Sequence, residues 1–331
     1  MPKVSVIIPI YGVEKYIERC ARSLFEQTLD DIEFVFVNDC TQDKSIEVLQ
    51  TIIDKYPNRK GQVRIVHHEV NKGLSRARET GVRAATGDYI AHCDSDDWVD
   101  LSMYEIMYYN AIENNSDVVK CGHKIVNDNE ILQVNNVFLK SDVVSKDVAL
   151  SWLLTYKGWN SIWDTMVKRS IYKENYIEFT DIPMLEDMVV MAQVYTYAQI
   201  ITVVQQPYYN YYMNPQSICG RSSEGDYIRR AIQATFNLEQ IFRFIKSFWG
   251  DKYSDETLVA KWIPKNILIN VMNNPDNYNI WNQIYPEIKW PIYFTKNLPL
   301  VYKIRLLMVD FHFYPLYVKL KRNLTNTIRP K

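Results

Sequence analysis

The sequence predicts an α/β fold, with a mostly parallel central sheet flanked by helices and a helical carboxyl-terminal extension. Three observations predict it. Short apolar runs alternate with helical patterns over the first hundred residues. Three of the first four apolar runs stop in polar residues suited to a charged ligand. Beyond about Tyr227 the pattern turns to helices alone. Strands separated by single helices imply right-handed βαβ units, and hence a parallel sheet covered on both faces.

The first strand, residues 4–8, runs into Pro9 and Tyr11. Residues 14–27 then place Tyr16, Ile17, Cys20, Ala21, Leu24 and Phe25 at spacings of three and four, an amphipathic helix. The second strand, 32–37, runs into Asn38-Asp39, and a helix over 44–56 is closed by Pro57-Asn58. A third strand, Val63–His67, precedes Asn71-Lys72-Gly73 and a helix over 75–85, which Gly87 ends. The fourth strand, 88–93, delivers Asp94-Ser95-Asp96-Asp97. The alternation continues less clearly through 117–126, and a further helical pattern opens at Leu185-Glu186-Asp187-Met188, after Pro183. Helices follow over 228–248 and 254–273.

A length of 331 residues suits two domains, or one large domain with an extension, and 47% apolar residues supply a sizeable core. A formal net charge of −1 argues against bulk electrostatic binding of nucleic acid. The five cysteines (Cys20, Cys40, Cys93, Cys121, Cys219) are odd in number and show no CxxC spacing, which speaks against a disulfide scaffold or zinc site. The chain enters its first strand without a signal peptide, and no apolar run reaches the roughly 20 residues that span a bilayer. The expected location is the cytoplasm.

In an open parallel sheet, ligands bind beyond the carboxyl ends of the strands. Carboxylates gathered there repel one another unless a cation offsets them. A helix cap would explain one or two residues of Asp94-Ser95-Asp96-Asp97, but not three carboxylates on four positions. The cluster favours a hard, oxygen-ligated ion, Mn²⁺ or Mg²⁺, and through it a phosphate-bearing ligand. Asp96 is the expected metal ligand, while Asp94, nearer the strand, and Ser95 are candidates to meet the nucleotide. Asp39 reads either as a turn-forming residue or as a partner for base or ribose donors, and its position favours binding. Lys72, Arg76 and Arg78 are the candidates to offset the acids or a diphosphate, with Arg78 the first choice. Glu186-Asp187, at a helix start, is on its own an ordinary dipole complement. His67, His68, His92, His123 and His312 show no ligand spacing and read as core or surface residues.

These residues resemble the family 2 glycosyltransferases. The likeness runs through Val4-Ser5-Val6-Ile7-Ile8-Pro9-Ile10-Tyr11, Ser23-Leu24-Phe25-Glu26-Gln27-Thr28, Asn38-Asp39, Asn71-Lys72-Gly73-Leu74-Ser75-Arg76-Ala77-Arg78, Gly87-Asp88-Tyr89-Ile90 and Asp94-Ser95-Asp96-Asp97. It extends more thinly to Glu186-Asp187 and Tyr208-Tyr209-Asn210-Tyr211-Tyr212. The resemblance implies the GT-A nucleotide-sugar-binding fold over 1–220, with 1–115 as the nucleotide-binding half and 116–220 as the acceptor half; 221–331 is a helical aromatic and basic region. It implies that Pro9, Tyr11, Glu14 and Asp39 surround the base and ribose, that Asp94 and Asp96 form the DxD motif, with Asp96 on the metal, and that Asp187 is the general base. The partners it implies are a nucleotide-sugar donor, UDP-linked, and a saccharide or lipid-linked saccharide acceptor, with transfer by inversion. One departure stands out: two aspartates before Gly-Ser are usual, whereas Asn38-Asp39-Cys40-Thr41 stands here, leaving open whether Asn38 or Asp39 makes the main base contact.

A dinucleotide-binding dehydrogenase would need GxGxxG after the first strand, where only Gly12 stands. A nucleotidyltransferase would need a glycine-rich basic loop near the start. A non-catalytic binding or scaffold protein is the alternative from another class, and the acidic quartet with Glu186-Asp187 argues against it. Over 296–331, Lys296, Lys303, Arg305, Lys319, Lys321, Arg322, Arg329 and Lys331 stand against Asp310 alone. Leu306, Leu307, Met308, Phe311, Phe313, Tyr314, Leu316 and Tyr317 lie between them. This segment reads either as a solvated helix or as a peripheral contact with an anionic inner membrane face.

Overall fold

The computed structural model describes residues 1–137, 142–158, 160–214, 217, 220, 222–316, 318 and 319. Of the residues singled out above, Cys219, Tyr317, Lys321, Arg322, Arg329 and Lys331 lie outside these. Four parallel strands form one side of the sheet in the order β3-β2-β1-β4: β1 (Val4–Ile10), β2 (Ile32–Asn38), β3 (Val63–His67) and β4 (Tyr89–His92). They are joined by α1 (Ile17–Phe25), α2 (Ser45–Lys55) and α3 (Leu74–Ala84). Every residue of β1 is buried, as a strand with helices on both faces requires. Val4, Val6, Ile8 and Ile10 pack with Ile17 and Leu24 of α1 and Leu49 and Ile52 of α2, while Ile7 packs with Val35, Val37 and Ala77 on the other face. A Cβ at Gly81 would stand 2.1 Å from Ile7 Cγ2, so this glycine lets α3 lie close against β1.

The sheet continues through β5 (Trp98–Val99), α4 (Met103–Glu113), β6 (Val118–Val126), β7 (Ile131–Asn135), β8 (Val143–Val144), α5 (Lys146–Leu154), β9 (Thr165–Lys168), α6 (Arg169–Glu174), α7 (Glu186–Tyr197) and β10 (Ile201–Tyr212). The strand order beyond β4 is β9-β6-β10-β5. β9 runs antiparallel to both β4 and β6, whereas β6 and β10 are parallel. The amphipathic helix expected over 14–27 is shorter at its start, because residues 14–16 form a turn whose backbone serves the loop described below.

The chain divides into two compact units, Met1–Leu150 with Trp159–Gly220, and Ser151–Gly158 with Arg221–Lys331. In the second, α8 (Glu224–Trp249) opens with a capping box in which Ser223 and Asp226 satisfy each other's backbone N–H groups. The helix expected over 254–273 divides into α9 (Ser254–Ala260) and α10 (Trp262–Leu268). Pro264 has no N–H to donate and is tolerated in a first turn, so a new helix starts just before it. α11 (Tyr278–Gln283), α12 (Pro291–Phe294) and α13 (Leu300–Asp310) complete the unit. Lys265 Nζ donates to the Trp281 carbonyl at 2.8 Å, and its burial lowers its pKa to about 8. Among the described residues, no helix is long and apolar enough to cross a membrane.

Candidate active site at the strand ends

The parallel register brings Ile10, Asn38 and Cys93 to one edge of the sheet, and the residues after them build the site. Two loops are stitched together there. Gly12 N–H donates to Thr41 Oγ1 (2.9 Å), Val13 N–H to Ser45 Oγ (3.1 Å) and Glu14 N–H to Asp43 Oδ2 (2.9 Å), while Glu14 Oε2 accepts from Lys44 N–H (3.0 Å). The Glu14 side chain therefore caps α2. Cys40, where the resemblance leads one to expect glycine, has a φ of 58°. That left-handed conformation is costly for a residue with a Cβ, so the departure in sequence is also a point of strain.

Asp39 is buried, and its carboxylate accepts from His68 Nδ1 (2.7 Å), Lys72 N–H (2.8 Å) and Gly73 N–H (2.8 Å). Gly73, at φ 88°, supplies a turn that a Cβ would strain. The carboxylate thus anchors the loop that starts α3 and holds the exposed Lys72 beside the strand ends. Asn38 Oδ1 accepts from Thr41 N–H (2.9 Å), and its amide contacts His67 Nδ1 (3.0 Å). Pro9 is buried in β1, and Tyr11 is exposed just beyond it.

Arg78, buried on α3, joins three acids that are distant in sequence. Its Nη2 donates to Asp94 Oδ1 (2.7 Å), and its Nη1 donates to Asp187 Oδ1 (2.5 Å) and contacts Glu186 Oε1 (3.4 Å). Burial works against its charge, but Asp187, Asp94 and Glu186 outweigh it and hold the guanidinium protonated. One cation against three carboxylates leaves the cluster acid-rich. Burial raises the Asp187 carboxyl against the pull of Arg78, and Glu186 and Asp94 add to the rise, taking it to about 7. Asp187 Oδ2 also faces Ile162 N–H at 3.3 Å. The turn that presents Glu186-Asp187 carries two consecutive non-glycine residues at positive φ, Met184 (83°) and Leu185 (66°). Strain of this kind persists only where the surroundings enforce it, and it gathers at functional sites.

The acidic quartet divides in role. Asp97 is fully buried, accepting from Tyr209 Oη–H (2.6 Å) and Tyr212 N–H (2.7 Å), so it ties β10 to the end of β4. Ser95 is buried. Asp96 Oδ2 accepts from Asn214 Nδ2 (2.9 Å), and the Asp96 carbonyl accepts from Arg19 (3.0 Å). Burial raises the Asp96 carboxyl, with Asp94 contributing. No group of three or more His, Cys, Asp or Glu fit to hold a metal occurs among the described residues. Two neighbouring carboxylates under mutual repulsion nonetheless fit a Mg²⁺-like ion, which takes one or two protein carboxylates and completes its shell from phosphate and water.

Sequence reasoning named Arg78, Asp94, Asp96, Glu186 and Asp187, and all but Asp96 meet in one network. It missed Asn214 and Arg19 on Asp96 and the Ile162 N–H on Asp187. A backbone N–H leaves no mark in a sequence, whereas Asn214, just beyond the tyrosine-rich run, could have been suspected. Asp181, the nearest aspartate before this turn in the chain, is paired with Arg76 on the surface. His92 is a core histidine, buried, with both ring nitrogens unpartnered among the described residues and held neutral by burial and by Arg78.

A second ionic cluster lies in the same unit. Lys120 Nζ donates to Asp164 Oδ1 (2.5 Å) and Ser161 Oγ (3.2 Å), and His123 Nδ1 contacts Asp164 Oδ2 (3.2 Å). Trp163 beside it stacks on Tyr209, with centroids 4.5 Å apart. Burial acts to raise the Asp164 carboxyl, but Lys120 and His123 overcome it and hold it below the usual range.

The pattern of "Glycosyl transferase family 2" matches residues 5–174. An uncharacterized glycosyltransferase, EpsJ, of Bacillus subtilis (strain 168) is 34% identical over 227 residues, covering 66% of this chain and 63% of its own length. The chain thus spans just under two thirds of the length of such relatives. The crystal structure of S. aureus TarS 1-349 in complex with UDP-GlcNAc superposes with a TM-score of 0.57 at 20% identity, over 99% of this chain and 93% of that one. The mannosyltransferase PcManGT from Pyrobaculum calidifontis, in complex with GDP-Man and Mn²⁺, gives 0.54 at 14% identity, over 94% and 87%. At these identities the structural likeness speaks to the fold, which is the GT-A arrangement of a mixed sheet with flanking helices. With the family pattern matching just over half of its length, the chain belongs to glycosyl transferase family 2.

Proposed function

We propose that the chain transfers a sugar from a nucleotide diphosphate sugar, a UDP-sugar, to an acceptor hydroxyl with inversion. The observation that carries the reading is the Arg78 network, which joins Asp187 to Asp94, the first aspartate of the proposed DxD motif, at the carboxyl end of β4. Asp187, with a pKa near 7, suits proton removal from an attacking hydroxyl at neutral pH. Arg78 is too buried to serve a diphosphate directly. It acts by orienting Asp94 and Asp187, and the exposed Lys72 is left as the diphosphate's cationic partner. Tyr11 and Pro9 border the base, with Asp94 and Ser95 toward the ribose. Asp39 and Glu14 contribute by fixing the two loops. Asp96, with Asp94, would hold Mn²⁺ or Mg²⁺, and that ion supplies Lewis-acid stabilisation of the diphosphate leaving group. The donor complexes of the two structural neighbours support a nucleotide-sugar reading.

The acceptor proposed is a saccharide or lipid-linked saccharide of a cell-surface polysaccharide or glycolipid, met in the cytoplasm at the inner membrane face. A screen of nucleotide sugars for hydrolysis and transfer tests the reading. Turnover of one UDP-sugar is expected. Tight UDP binding with no turnover of any donor would favour the non-catalytic binding protein instead.

A further inference from the structure

Helix α13 presents an apolar face to solvent. Leu300 is 70% exposed, Val301 59%, Ile304 48% and Phe311 51%, with the half-buried Met308 among them. The opposite face is packed: Tyr302 lies against Trp262 with centroids 4.6 Å apart, and Leu306 and Val309 are buried. A helix turns about 100° per residue, so Lys303 and Arg305 flank Ile304 on either side of the apolar face, Lys303 with its Nζ donating to the Thr295 carbonyl. The one acid of the helix, Asp310, is turned inward, accepting from Trp281 Nε1–H (2.8 Å) and Tyr293 Oη–H (2.5 Å). Phe294, at the end of the preceding helix, is 82% exposed, and Trp290 is also exposed.

We infer that this face of α13 docks on an anionic lipid surface, its apolar residues entering the headgroup boundary and Arg305 reaching the phosphates, with the charge of Lys303 held close by at the Thr295 carbonyl. Aliphatic and aromatic residues between two long cationic stems, with no acid on the exposed face, are what an interfacial helix needs. A second copy laid face to face is disfavoured, because it would gather Lys303 and Arg305 of both chains around one contact with no acid to answer them. The inference deepens the proposed siting at the membrane and rests on it, but not on the chemistry of the donor site.

The test is flotation of the full chain with vesicles of phosphatidylcholine alone and of phosphatidylcholine with phosphatidylglycerol. Binding to the anionic vesicles, released by high salt, is expected. Leu300→Gln with Ile304→Gln should weaken it by about tenfold or more, since two exposed aliphatic side chains lose their insertion. Arg305→Gln should weaken it about fivefold. Phe236→Gln, an exposed aromatic on α8, should float like the wild type. Hydrolysis of the donor sugar in solution should stay unchanged in all three variants, so loss of membrane binding and failure of the catalytic reading are read separately. The inference is overturned if the full chain ignores anionic vesicles or if the α13 variants float unchanged. It is also overturned if those substitutions dissolve a dimer in solution. Finally, binding by a chain cut after Lys319 where the full chain does not bind would mean that residues 320–331 cover the face, and would sink it too.

Discussion

The first unit holds two buried ionic clusters that differ in their arithmetic. Around Asp164, the acid has Lys120 and His123 for company, is wholly buried, and is held below the usual carboxylate range. Around Arg78, three acids share one cation, each keeps some exposure, and Asp187 is raised to about 7. The first arrangement is complete without a ligand. The second has negative charge left over and an edge open to solvent, so what would relieve it must come from outside: a divalent cation, or a proton arriving on Asp187. On the proposed reading, excess charge and access, rather than burial or ion pairing as such, mark the cluster suited to chemistry.

The largest effect should come from breaking the balanced cluster. Lys120→Met leaves Asp164 buried without its main partner and should cost about 3–5 kcal/mol of stability. Chemical denaturation measures this, and the protein that stays folded should bind UDP as before. An unaltered midpoint would mean that the Asp164 cluster contributes no more than a surface pair. Asp187→Asn, by contrast, should keep UDP affinity while slowing transfer by about 10² or more. Normal transfer by this variant would move the base to Glu186 or Asp181.

The raised carboxyl also predicts a pH signature. In the wild type, kcat/KM should rise with pH through about 7 as Asp187 loses its proton, and this limb should be missing from the residual activity of Asp187→Asn. Stability should run the other way. The folded chain holds this proton more tightly than the unfolded one, so the Asp187 contribution is full at low pH and is lost as pH rises toward and through about 7. Thermal melts of the two proteins across pH 5 to 8 would expose the difference as a slope present in one and absent in the other. The smallest effect is Cys40→Gly, which removes a Cβ from a left-handed position and should stabilise by about 1 kcal/mol, less the entropy glycine adds to the unfolded chain.

The two clusters were not equally legible in the sequence. Asp94, Asp96 and Arg78 could be named because each follows from a local rule: an acid after a buried strand, or a base on the helix entering the same edge. What decides their chemistry is nonlocal. Arg78 meets Asp187 across 109 positions, and Asn214 meets Asp96 across 118. Asp39 shows the converse: its position at a strand end was plain, but nothing local shows that its oxygens are taken by His68 and the Lys72-Gly73 backbone. The Asp164 cluster went unread altogether, because its members lie on β6 and on the short approach to β9, a strand of four residues with no periodicity to betray it.

In the proposed reading the acid-rich edge holds a nucleotide diphosphate through a divalent cation on Asp96. Calorimetric titration of UDP, with and without Mn²⁺, into the wild type and Asp96→Asn tests it most directly. Tighter binding with Mn²⁺ in the wild type and no effect of Mn²⁺ in the variant are expected. Equal affinities in all four titrations would contradict that reading.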